Sequence, residues 1–512
     1  MPLQVLLLAV LGLIVVLLVR SLLGYLHFRR LELAIPGRPS LPLLGNALEA
    51  ARTTPDTIMK TILWLVDGRR EMRRASIFNH LIVSLQDPVE IEELVRRKDF
   101  NDKSAFIYDL IQHDFGAKGL IQLNGAEWKA HRKWLAPGFN QNVLNSFVNV
   151  FSEEAKGFVD RVEVGMVVDV LENLRKTAMR NFIRTSVAAD GLHFDDELLD
   201  SVEFLELLCC SVNARSFNPL LWSYYIFALT PLGKKMHKMK STFESLCRRI
   251  VAAKRMELKS RDHCDFKQAR ETLMDILVRG PEDGAGTQEA EQDIMDEFKT
   301  FLAANVETTV SALSWMLKVL SLKPEVQERV HAELVSVFGD SGRLVAVEDL
   351  PKLKYLDRVI KEIMRMFPPV PFTGRQCYEE TKLCGHTIPA GSTIGINIFG
   401  AHRDPKHWDK PDEFDPDRFL PENCKDRHPC AYIPFSTGPR HCIGGKYAMM
   451  NMTTILATAL RAFKVLPVDD HKDLQSLADN MTFGVSSHLV GGVRVKFEAR
   501  EPRLRDVAQA LV

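Results

Sequence analysis

A single cysteine, Cys442, stands near the end of an unusual loop, residues 434–444 (PFSTGPRHCIG), just before a stretch with helical apolar periodicity. Gly438 and Pro439 predict a tight turn, because glycine tolerates a positive φ and proline fixes the next one. Free N–H groups and the dipole at a helix N-terminus favour a thiolate, the form of cysteine that binds metal. Arg440 offers a planar guanidinium suited to a carboxylate. The pattern predicts a metal ligand at Cys442, the alternative being a buried free cysteine at a helix cap.

The spacing Phe435-x-x-Gly438-x-Arg440-x-Cys442-x-Gly444 resembles the cysteine loop of the haem-thiolate monooxygenases, the cytochrome P-450 family. The resemblance implies that Cys442 is the axial ligand of the iron of haem b, where it pushes electron density toward O–O cleavage. It also implies that Phe435, Gly438, Arg440 and Gly444 lie against the cofactor. Haem is then held noncovalently apart from the bond between the thiolate and the iron.

Trp128 and Arg132 stand four residues apart, on one face of a predicted helix that Pro137 closes. By themselves they are typical of a solvated arginine lying on an aromatic ring. The family places a W-x-x-x-R pair here with both side chains directed at the haem propionates, which implies that role for Trp128 and Arg132. Arg375 resembles a further propionate-binding arginine of the family.

Residues 288–322 contain neither proline nor glycine and predict a helix of roughly 30 residues, about 45 Å long. Ala304 and Thr308 are one turn apart on one face of it. Glu307 adjoins Thr308, and an acid beside an alcohol in an apolar helix predicts proton delivery. The alternative is a mid-helix threonine that bonds back to its own helix.

Residues 304–309 (ANVETT) resemble the oxygen-activation motif A-G-x-[DE]-T-T of the family, in which Glu307 and Thr308 are catalytic and Ala304 leaves space for the haem. Asn305 replaces the usual glycine. Its amide can either join the water network at the oxygen site or leave the helix straighter. Alanine at 304 also excludes the haem ester that a glutamate forms at this position in related fatty-acid ω-hydroxylases.

Glu362 and Arg365 are spaced as an i,i+3 pair, which is normally solvated and contributes little to stability. The nearby segment 414–419 (FDPDRF) resembles the family segment whose arginine joins such a pair. The resemblance implies a buried charge network of Glu362, Arg365 and Arg418 that holds the haem core.

The amino end predicts a membrane anchor over residues 1–28, a proline-rich hinge over 29–46 and one catalytic domain over 47–512. A cleaved signal peptide is the rival interpretation, but arginines follow the apolar run rather than precede it. They place the body of the chain in the cytosol. The predicted fold is mainly α with a minor β-sheet, a cytochrome P-450 fold. A second aromatic stretch, 217–232, is either an interior helix corner or a membrane contact.

The composition and the missing motifs argue against three classes of function. Lys and Arg together number 66, equal to Asp and Glu, so no net charge favours nucleic acid as a partner. The nine cysteines form no C-x-x-C pair, so neither a zinc ribbon nor a disulfide framework is predicted. No glycine-rich dinucleotide fingerprint follows a predicted strand, so a fused reductase is excluded.

The resemblance implies a monooxygenase of the endoplasmic-reticulum membrane that inserts one oxygen atom from O2 into a fatty acid, hormone or xenobiotic. The microsomal group it resembles includes fatty-acid hydroxylases and many arthropod enzymes. NADPH–cytochrome P-450 reductase is the expected electron donor, with cytochrome b5 as a second candidate and membrane lipid as a further partner. The alternatives are a haem-thiolate isomerase or dehydratase, and a non-catalytic haem sensor. A basic surface is expected to steer the acidic donor, formed by Lys129, Lys133, Arg440, His441 and Lys446. Residues 481–485 (MTFGV) occupy the place of a substrate-contacting turn.

Overall fold

The computed structural model describes residues 2–66, 71–187, 195–216, 218–261, 272–280, 288–468 and 471–500. Helices dominate and four small sheets lie beside them, which confirms the predicted mainly α fold with a minor β component. The α-helices are α1 (Pro2–Ala34), α2 (Ala47–Ala50), α3 (Ile58–Leu65), α4 (Pro88–Arg96), α5 (Ala105–Phe115), α6 (Gly125–Leu135), α7 (Gln141–Asp160), α8 (Val170–Ser186), α9 (Asp195–Ser216), α10 (Tyr224–Leu229), α11 (Pro231–Arg261), α12 (Leu273–Arg279), α13 (Gln288–Ser321), α14 (Pro324–Phe338), α15 (Lys354–Met366), α16 (Ile398–Ala401), α17 (Pro421–Cys424), α18 (Gly445–Ala462) and α19 (Leu474–Asp479).

The described strands are short and form sheets of two to four members. In the largest sheet the order is β1-β2-β7-β4, with β2 and β7 parallel and the other neighbours antiparallel. The second sheet has the order β3-β11-β8, and two hairpins pair β5 with β6 and β9 with β10. The strands are β1 (Arg73–Ile77), β2 (His80–Leu85), β3 (Val167–Asp169), β4 (Phe372–Gln376), β5 (Thr381–Leu383), β6 (His386–Ile388), β7 (Thr393–Asn397), β8 (Phe463–Pro467), β9 (Met481–Phe483), β10 (Ser487–Leu489) and β11 (Arg494–Ala499).

Helix α13 runs through the centre of the core as one continuous α-helix from Gln288 to Ser321. Its residues 309–321 are buried on every side, as expected for a helix enclosed by others, and α8, α11, α12, α14, α15 and α18 all pack against it. The Trp315 ring stacks on Phe367 with centroids 4.6 Å apart, and its indole N–H donates to Ser487 Oγ at 3.0 Å. Pro324 then begins α14 at a position where a missing N–H costs nothing. The core therefore fixes α13 in position and rotation.

Helix α1 carries exposed leucines and valines along most of its length. Its segment Leu6–Ala34 is long and apolar enough to cross a membrane, with a mean hydropathy of 2.9 over its most apolar window. The helix continues to Ala34, past residue 28, where the sequence placed the start of the hinge. The predicted division into anchor, hinge and catalytic domain stays a prediction.

The end of α1 is tied to the body of the protein by one buried carboxylate, Glu32. Arg29 Nη1 lies 2.7 Å from Glu32 Oε2, while Arg74 Nη1 and Ser76 Oγ lie 3.3 Å and 2.8 Å from Oε1. Arg74 belongs to β1, so the pair joins the helix to the largest sheet. The last turn of α1 is thus part of the folded body.

The buried pair on α15 links this helix to the loop that follows α16. Arg365 donates from Nε and Nη2 to the two carboxylate oxygens of Glu362 at 2.7 and 2.8 Å, and from Nη1 to the carbonyls of His402 and Pro411. Arg418 Nε lies 3.4 Å from Glu362 Oε1. The structure thus brings the three predicted network residues together. Their support of the haem core stays a prediction.

We expect Glu362→Ala to lower the free energy of unfolding by about 3–5 kcal/mol, because it leaves the guanidinium of Arg365 buried without a carboxylate. Urea unfolding followed by far-UV circular dichroism measures this loss. The matched control is Asp357→Ala on the same helix, whose half-exposed ion pair with Lys361 contributes less than about 1 kcal/mol. Equal losses in the two variants would contradict the buried-network interpretation.

Candidate functional site: a cavity around Cys442

One large cavity lies between α13 and the loop that precedes α18, with a volume of about 520 Å³. Its lining is mostly apolar and comes from α3, α5, α9, α13, β4 and the segment around β9. Cys442, Ala304, Glu307 and Thr308 are all among the lining residues. The structure therefore brings the predicted ligand and the predicted catalytic pair to one site.

The loop before α18 is shaped by its glycines and by one backbone hydrogen bond. Gly438 has a φ of +71°, and a Cβ there would lie 2.8 Å from Val95 Cβ, so both conformation and space favour glycine. The N–H of Cys442 donates to the carbonyl of Phe435 at 2.9 Å, which closes the loop. Gly444 caps α18, whose first residue is Gly445. Phe435 and Gly444 line the cavity, whereas Gly438 is not among its lining residues, and contact of these three residues with the cofactor stays a prediction.

Burial raises the pKa of the Cys442 thiol above its usual value, while the N–H of Gly444 and the positive charges of Arg132 and Lys103 lower it. The predicted helix-terminus effect is therefore present but smaller than the cost of burying a charge. A metal ion reverses this balance, because a coordinating thiol loses its proton outright. Iron bound at Cys442 would therefore displace the proton of the thiol and hold the sulfur as a thiolate.

Four cations lie in or beside this site: Lys103 and Arg132 act on Cys442 as nearby positive charges, and Arg375 and Arg440 lie next to Lys103. Lys103 Nζ contacts Tyr108 OH at 2.9 Å and Thr373 Oγ1 at 3.0 Å. Burial, with repulsion from Arg375 and Arg440, lowers the pKa of Lys103 to about 8.

The two predicted arginines beside Lys103 lie deep in the protein. Burial and the neighbouring Arg375 lower the pKa of Arg440 to about 10. Arg375 on β4 is buried, and its Nη2 has no hydrogen-bond partner among the described residues.

Arg440 does not lie on a basic surface, which corrects that part of the prediction. It is 8 % exposed, and it donates to the carbonyls of Leu123 at 2.8 Å and Ile121 at 3.2 Å. Its guanidinium stacks over the ring of Trp128, 4.6 Å from the centroid. The cause is the pair of free carbonyls before α6, which a loop sequence does not reveal. The other four residues of the predicted basic surface are exposed: Lys129, Lys133, His441 and Lys446.

Trp128 is buried on α6 and lines the cavity, as does Arg132 one turn later. Arg132 donates from Nη1 to the carbonyl of His441 at 3.2 Å, and its Nη2 lies 3.1 Å from His441 Nε2. Arg132 therefore braces the residue next to Cys442. Its predicted contact with a propionate stays a prediction.

The cation cluster supplies the test of whether haem b fits this site. In the part of the chain that the structure describes, none of Lys103, Arg132, Arg375 and Arg440 forms an ion pair with a carboxylate. Buried charges of one sign require partners of the other sign. A flat cofactor with two carboxylates and an iron within reach of Cys442 meets this requirement, so the residues fit haem b.

On α13, Ala304 and Thr308 both line the cavity, and the Thr308 hydroxyl donates to the Ala304 carbonyl at 2.7 Å. This is the back-bonding that was the alternative interpretation of a mid-helix threonine. The helix stays α-helical through Asn305, whose side chain contacts the hydroxyl of Tyr447 on α18. Glu307 is 2 % exposed, and burial raises the pKa of its carboxyl.

Sequence reasoning missed Lys103 and Tyr108, which lie in and after a loop with no recognisable motif. Lys103 reaches the site because its backbone forms a bridge with Arg375 of β4. Such a long-range pairing leaves no trace in local spacing. By contrast, the predicted substrate-contacting turn at 481–485 does supply three lining residues, Phe483, Gly484 and Val485.

The aromatic stretch 217–232 divides into two parts, Phe217 lying outside the described residues. Trp222 and Phe227 turn inward, Trp222 packing edge-on against Phe78 and Phe106. Leu220, Tyr225 and Leu229 are 72 %, 83 % and 74 % exposed. The interior-corner interpretation therefore holds for Trp222 and Phe227, and contact of the exposed residues with a membrane stays a prediction.

Comparison with known proteins gives the family. The cytochrome P450 family model matches residues 35–488. Cytochrome P450 4c21 of Blattella germanica is 31% identical over 455 residues, covering 87% of this chain and 90% of that protein. Probable cytochrome P450 4ac1 of Drosophila melanogaster is 33% identical, with 87% of each chain covered, and cytochrome P450 4V2 of Rattus norvegicus is 32% identical, with 82% of each covered.

These matches span the catalytic body from the end of α1 to the β9–β10 hairpin, and they include the cysteine loop and all four cations of the site. Family members hold haem b noncovalently apart from a cysteine thiolate bond to the iron, which agrees with the charges and the thiol found around this cavity. On the cysteine loop, the cavity and the extent of these matches, the chain belongs to the cytochrome P450 family of haem-thiolate monooxygenases.

Proposed function

We propose that this membrane-bound monooxygenase inserts one oxygen atom from O2 into a hydrophobic small molecule, with electrons from NADPH delivered by a separate reductase. Family membership establishes the enzyme class and the cofactor. The observation that carries the rest is the shared lining of one cavity by Cys442, by Glu307 and Thr308, and by apolar side chains. When bound at Cys442, the haem supplies the redox chemistry that splits dioxygen.

The proposed class of substrate is inferred from the cavity walls away from Cys442. Ile62, Ile111, Leu208, Val212 and Phe483 contribute apolar surface there. Burial of an apolar ligand against this wall is favourable, because it removes apolar surface from water. The wall offers few hydrogen-bond partners to a polar ligand. Fatty acids, hormones and apolar xenobiotics all meet this description.

Glu307 and Thr308 supply the proton chemistry in this proposal. Burial raises the pKa of the Glu307 carboxyl, which favours the protonated form that can donate a proton. The Thr308 hydroxyl donates a hydrogen bond to the carbonyl of Ala304. Its oxygen lone pairs stay free to accept a hydrogen bond from water. An isomerase or dehydratase needs no such delivery, and a carrier without catalysis needs no buried acid at the cavity.

The direct test is reconstitution of the full-length holoprotein with NADPH–cytochrome P-450 reductase and labelled dioxygen. We expect label to enter an apolar substrate, and the reduced CO-bound protein to show the red-shifted Soret band of a thiolate ligand. We expect Thr308→Ala to lower the ratio of product to NADPH consumed by about 10-fold or more, within the range for a positioned proton-transfer group.

Thr308→Ser is the matched control, because it keeps the hydroxyl and removes only a methyl group. Its ratio of product to NADPH is expected to stay close to that of the wild type. Equal ratios in wild type and Thr308→Ala would remove Thr308 from proton delivery. Absence of label in every apolar substrate, despite a thiolate spectrum, would favour the isomerase or sensor alternatives.

We propose that Lys103, Arg375 and Arg440 hold the haem propionates together with Trp128 and Arg132. Their support is the buried positive charge without carboxylate partners described above. Phe435, Gly438 and Gly444 shape the loop that presents Cys442. Ala304 has a small side chain and leaves space for the haem on the side of α13 that faces this loop.

We expect Lys103→Met to speed haem release to apomyoglobin roughly tenfold, since a hydrogen bond to a charged group contributes about 1.5–3 kcal/mol. The matched control is Lys382→Met, which removes an exposed lysine on β5. If both variants release haem at the wild-type rate, Lys103 holds no propionate.

We propose that the electron donor docks on the side of the protein where Lys129, Lys133, His441 and Lys446 are exposed. This surface lies next to the cysteine loop, since Arg132 contacts His441 directly. Its charges complement an acidic partner and steer its approach. NADPH–cytochrome P-450 reductase is the proposed donor, and cytochrome b5 is the second candidate.

We propose that α1 anchors the protein in the endoplasmic-reticulum membrane, with the catalytic body in the cytosol. A second membrane contact is formed by Leu220, Tyr225 and Leu229, around the inward-turned Trp222. Phe78, which packs on Trp222, also donates from its backbone N–H to the carbonyl of Leu44 in the segment after α1. The exposed apolar surfaces after α1 and around α10 thus flank one small cluster, and both suit a lipid surface.

We expect a protein lacking residues 1–26 to keep partial binding to phosphatidylcholine vesicles. Changing Leu220, Tyr225 and Leu229 to serine in this truncated protein is expected to weaken binding more than about tenfold, since each buried apolar side chain contributes about 1.5–3 kcal/mol. Vesicle flotation measures the bound fraction. The control changes Met256, Val335 and Leu344 to serine, three exposed apolar residues outside this surface. Equal loss in both triple variants would contradict a specific contact.

A further inference from the structure

Three potential metal ligands from three separate elements meet behind the cavity wall: Cys209 on α9, Glu307 on α13 and His488 on β10. The Cys209 thiol donates to Glu307 Oε2 at 3.2 Å, and His488 Nε2 lies 4.0 Å from the same oxygen. One ligand atom from each residue lies within 4.8 Å of the other two. Cys209 and His488 are not among the residues that line the cavity around Cys442. The cluster is therefore distinct from the haem site, and Glu307 is shared by both.

The carboxylate of Glu307 carries an unmet need at this cluster. Its Oε1 is buried and has no hydrogen-bond partner among the described residues. A buried carboxylate oxygen without a donor costs about 1–3 kcal/mol or more. The thiol of Cys209 satisfies only the other oxygen. A cation that lies between the three side chains and binds both carboxylate oxygens of Glu307 would remove this cost.

We propose that Cys209, Glu307 and His488 form a Zn²⁺ site. Thiolate sulfur, imidazole nitrogen and carboxylate oxygen are the three ligand types that zinc takes in proteins, and three protein ligands leave a fourth position for water. Ligand atoms about 2.0–2.3 Å from a tetrahedral zinc ion lie about 3.3–3.6 Å apart. The contact between Cys209 and Glu307 already has this size, and the contact between His488 and Glu307 needs a shift of well under 1 Å.

Two neighbouring interactions have to change or be balanced when the metal binds. Ser486 Oγ lies 3.0 Å from His488 Nε2, and zinc replaces this hydroxyl at the nitrogen. Arg175 acts on both Glu307 and His488 as a nearby positive charge. It forms an ion pair with Glu206, which offsets much of its repulsion.

The charges of the occupied site balance. Cys209 releases its proton to solvent on binding, so the ligands are one thiolate, one carboxylate and one neutral imidazole. Together with Zn²⁺ they carry no net charge. A neutral complex suits a location where Cys209 and Glu307 are both buried.

Zinc at this site would withdraw Glu307 from proton delivery to the cavity. This consequence rests on the proposed function, whereas metal binding does not. The site would thus act as an inhibitory one, in which the metal competes with catalysis for a single carboxylate.

The test uses the haem-loaded, full-length protein after treatment with a chelator. We expect one Zn²⁺ per chain in competition with a chromophoric chelator, and a zinc-edge X-ray absorption spectrum with one sulfur and otherwise nitrogen or oxygen ligands. Cys209→Ser and His488→Gln are each expected to weaken binding more than about tenfold, the loss that removal of an outer partner of a metal ligand already causes. The reduced CO-bound spectrum shows that each variant keeps its haem site.

Cys210→Ser is the matched control, because Cys210 is the next residue on α9 and is exposed. It is expected to bind zinc as the wild type does. The proposal is overturned if the wild type binds no zinc more tightly than Cys209→Ser and His488→Gln do. It is also overturned if Cys210→Ser loses binding to the same extent as Cys209→Ser.

Turnover measurements separate this proposal from the proposed function. Zinc is expected to lower product formation in the wild type and in Cys210→Ser, but not in Cys209→Ser. Zinc binding without any product from an apolar substrate would overturn the proposed function and leave the metal site standing. Normal turnover without zinc binding would overturn the metal site alone.

Discussion

Positive charge buried next to a thiol is the constraint on which the rest of this structure depends. Lys103, Arg375 and Arg440 lie deep in the protein, and burial lowers the pKa of each. The fold keeps them there with hydrogen bonds to neutral acceptors, such as the carbonyls of Leu123 and Ile121 that accept from Arg440. That arrangement is costly without a dianionic partner. If haem neutralises these charges as proposed, stability of the folded chain and occupancy by haem are coupled, because one ligand would both balance the charges and bind the thiol.

Local patterns in the sequence predicted those parts of the site that are built within one element. The loop before α18 and the pairing of Glu362 with Arg365 depend on residues less than a dozen positions apart, and each lies where spacing placed it. Arg440 was predicted to lie against the cofactor and also to contribute to a basic surface, and the second prediction is wrong because the side chain turns inward. Its inward turn depends on carbonyls that come from the segment before α6. Lys103 reaches the site through a backbone bridge to β4, which no local pattern encodes.

Helix boundaries show the same division between local and long-range causes. The end of α13 was predictable, because Pro324 cannot continue the helix that precedes it, although it can begin the next one. The end of α1 was not, since Glu32 is held there by Arg74 and Ser76 of β1. From the sequence alone, an acidic residue after an apolar run indicates a linker. Its contacts with the sheet are seen only in the structure. The contact of Asn305 within α13 also has a long-range cause, because Tyr447, which it contacts, lies on α18.

The rotation of α13 explains how one acidic residue contacts two environments. Successive residues on an α-helix point about 100° apart, so Thr308 faces the cavity while Glu307 is turned toward α9 and β10. There the carboxylate meets Cys209 and His488, and one of its oxygens is left without a partner. A carboxylate placed fully inside an apolar cavity would repel the substrate it serves. As part of the cavity wall, with its carboxylate directed at Cys209 and His488, Glu307 keeps a raised pKa and stays within one residue of the Thr308 hydroxyl. The same placement surrounds it with a thiol and an imidazole, so an acid suited to delivering protons is also suited to binding a metal.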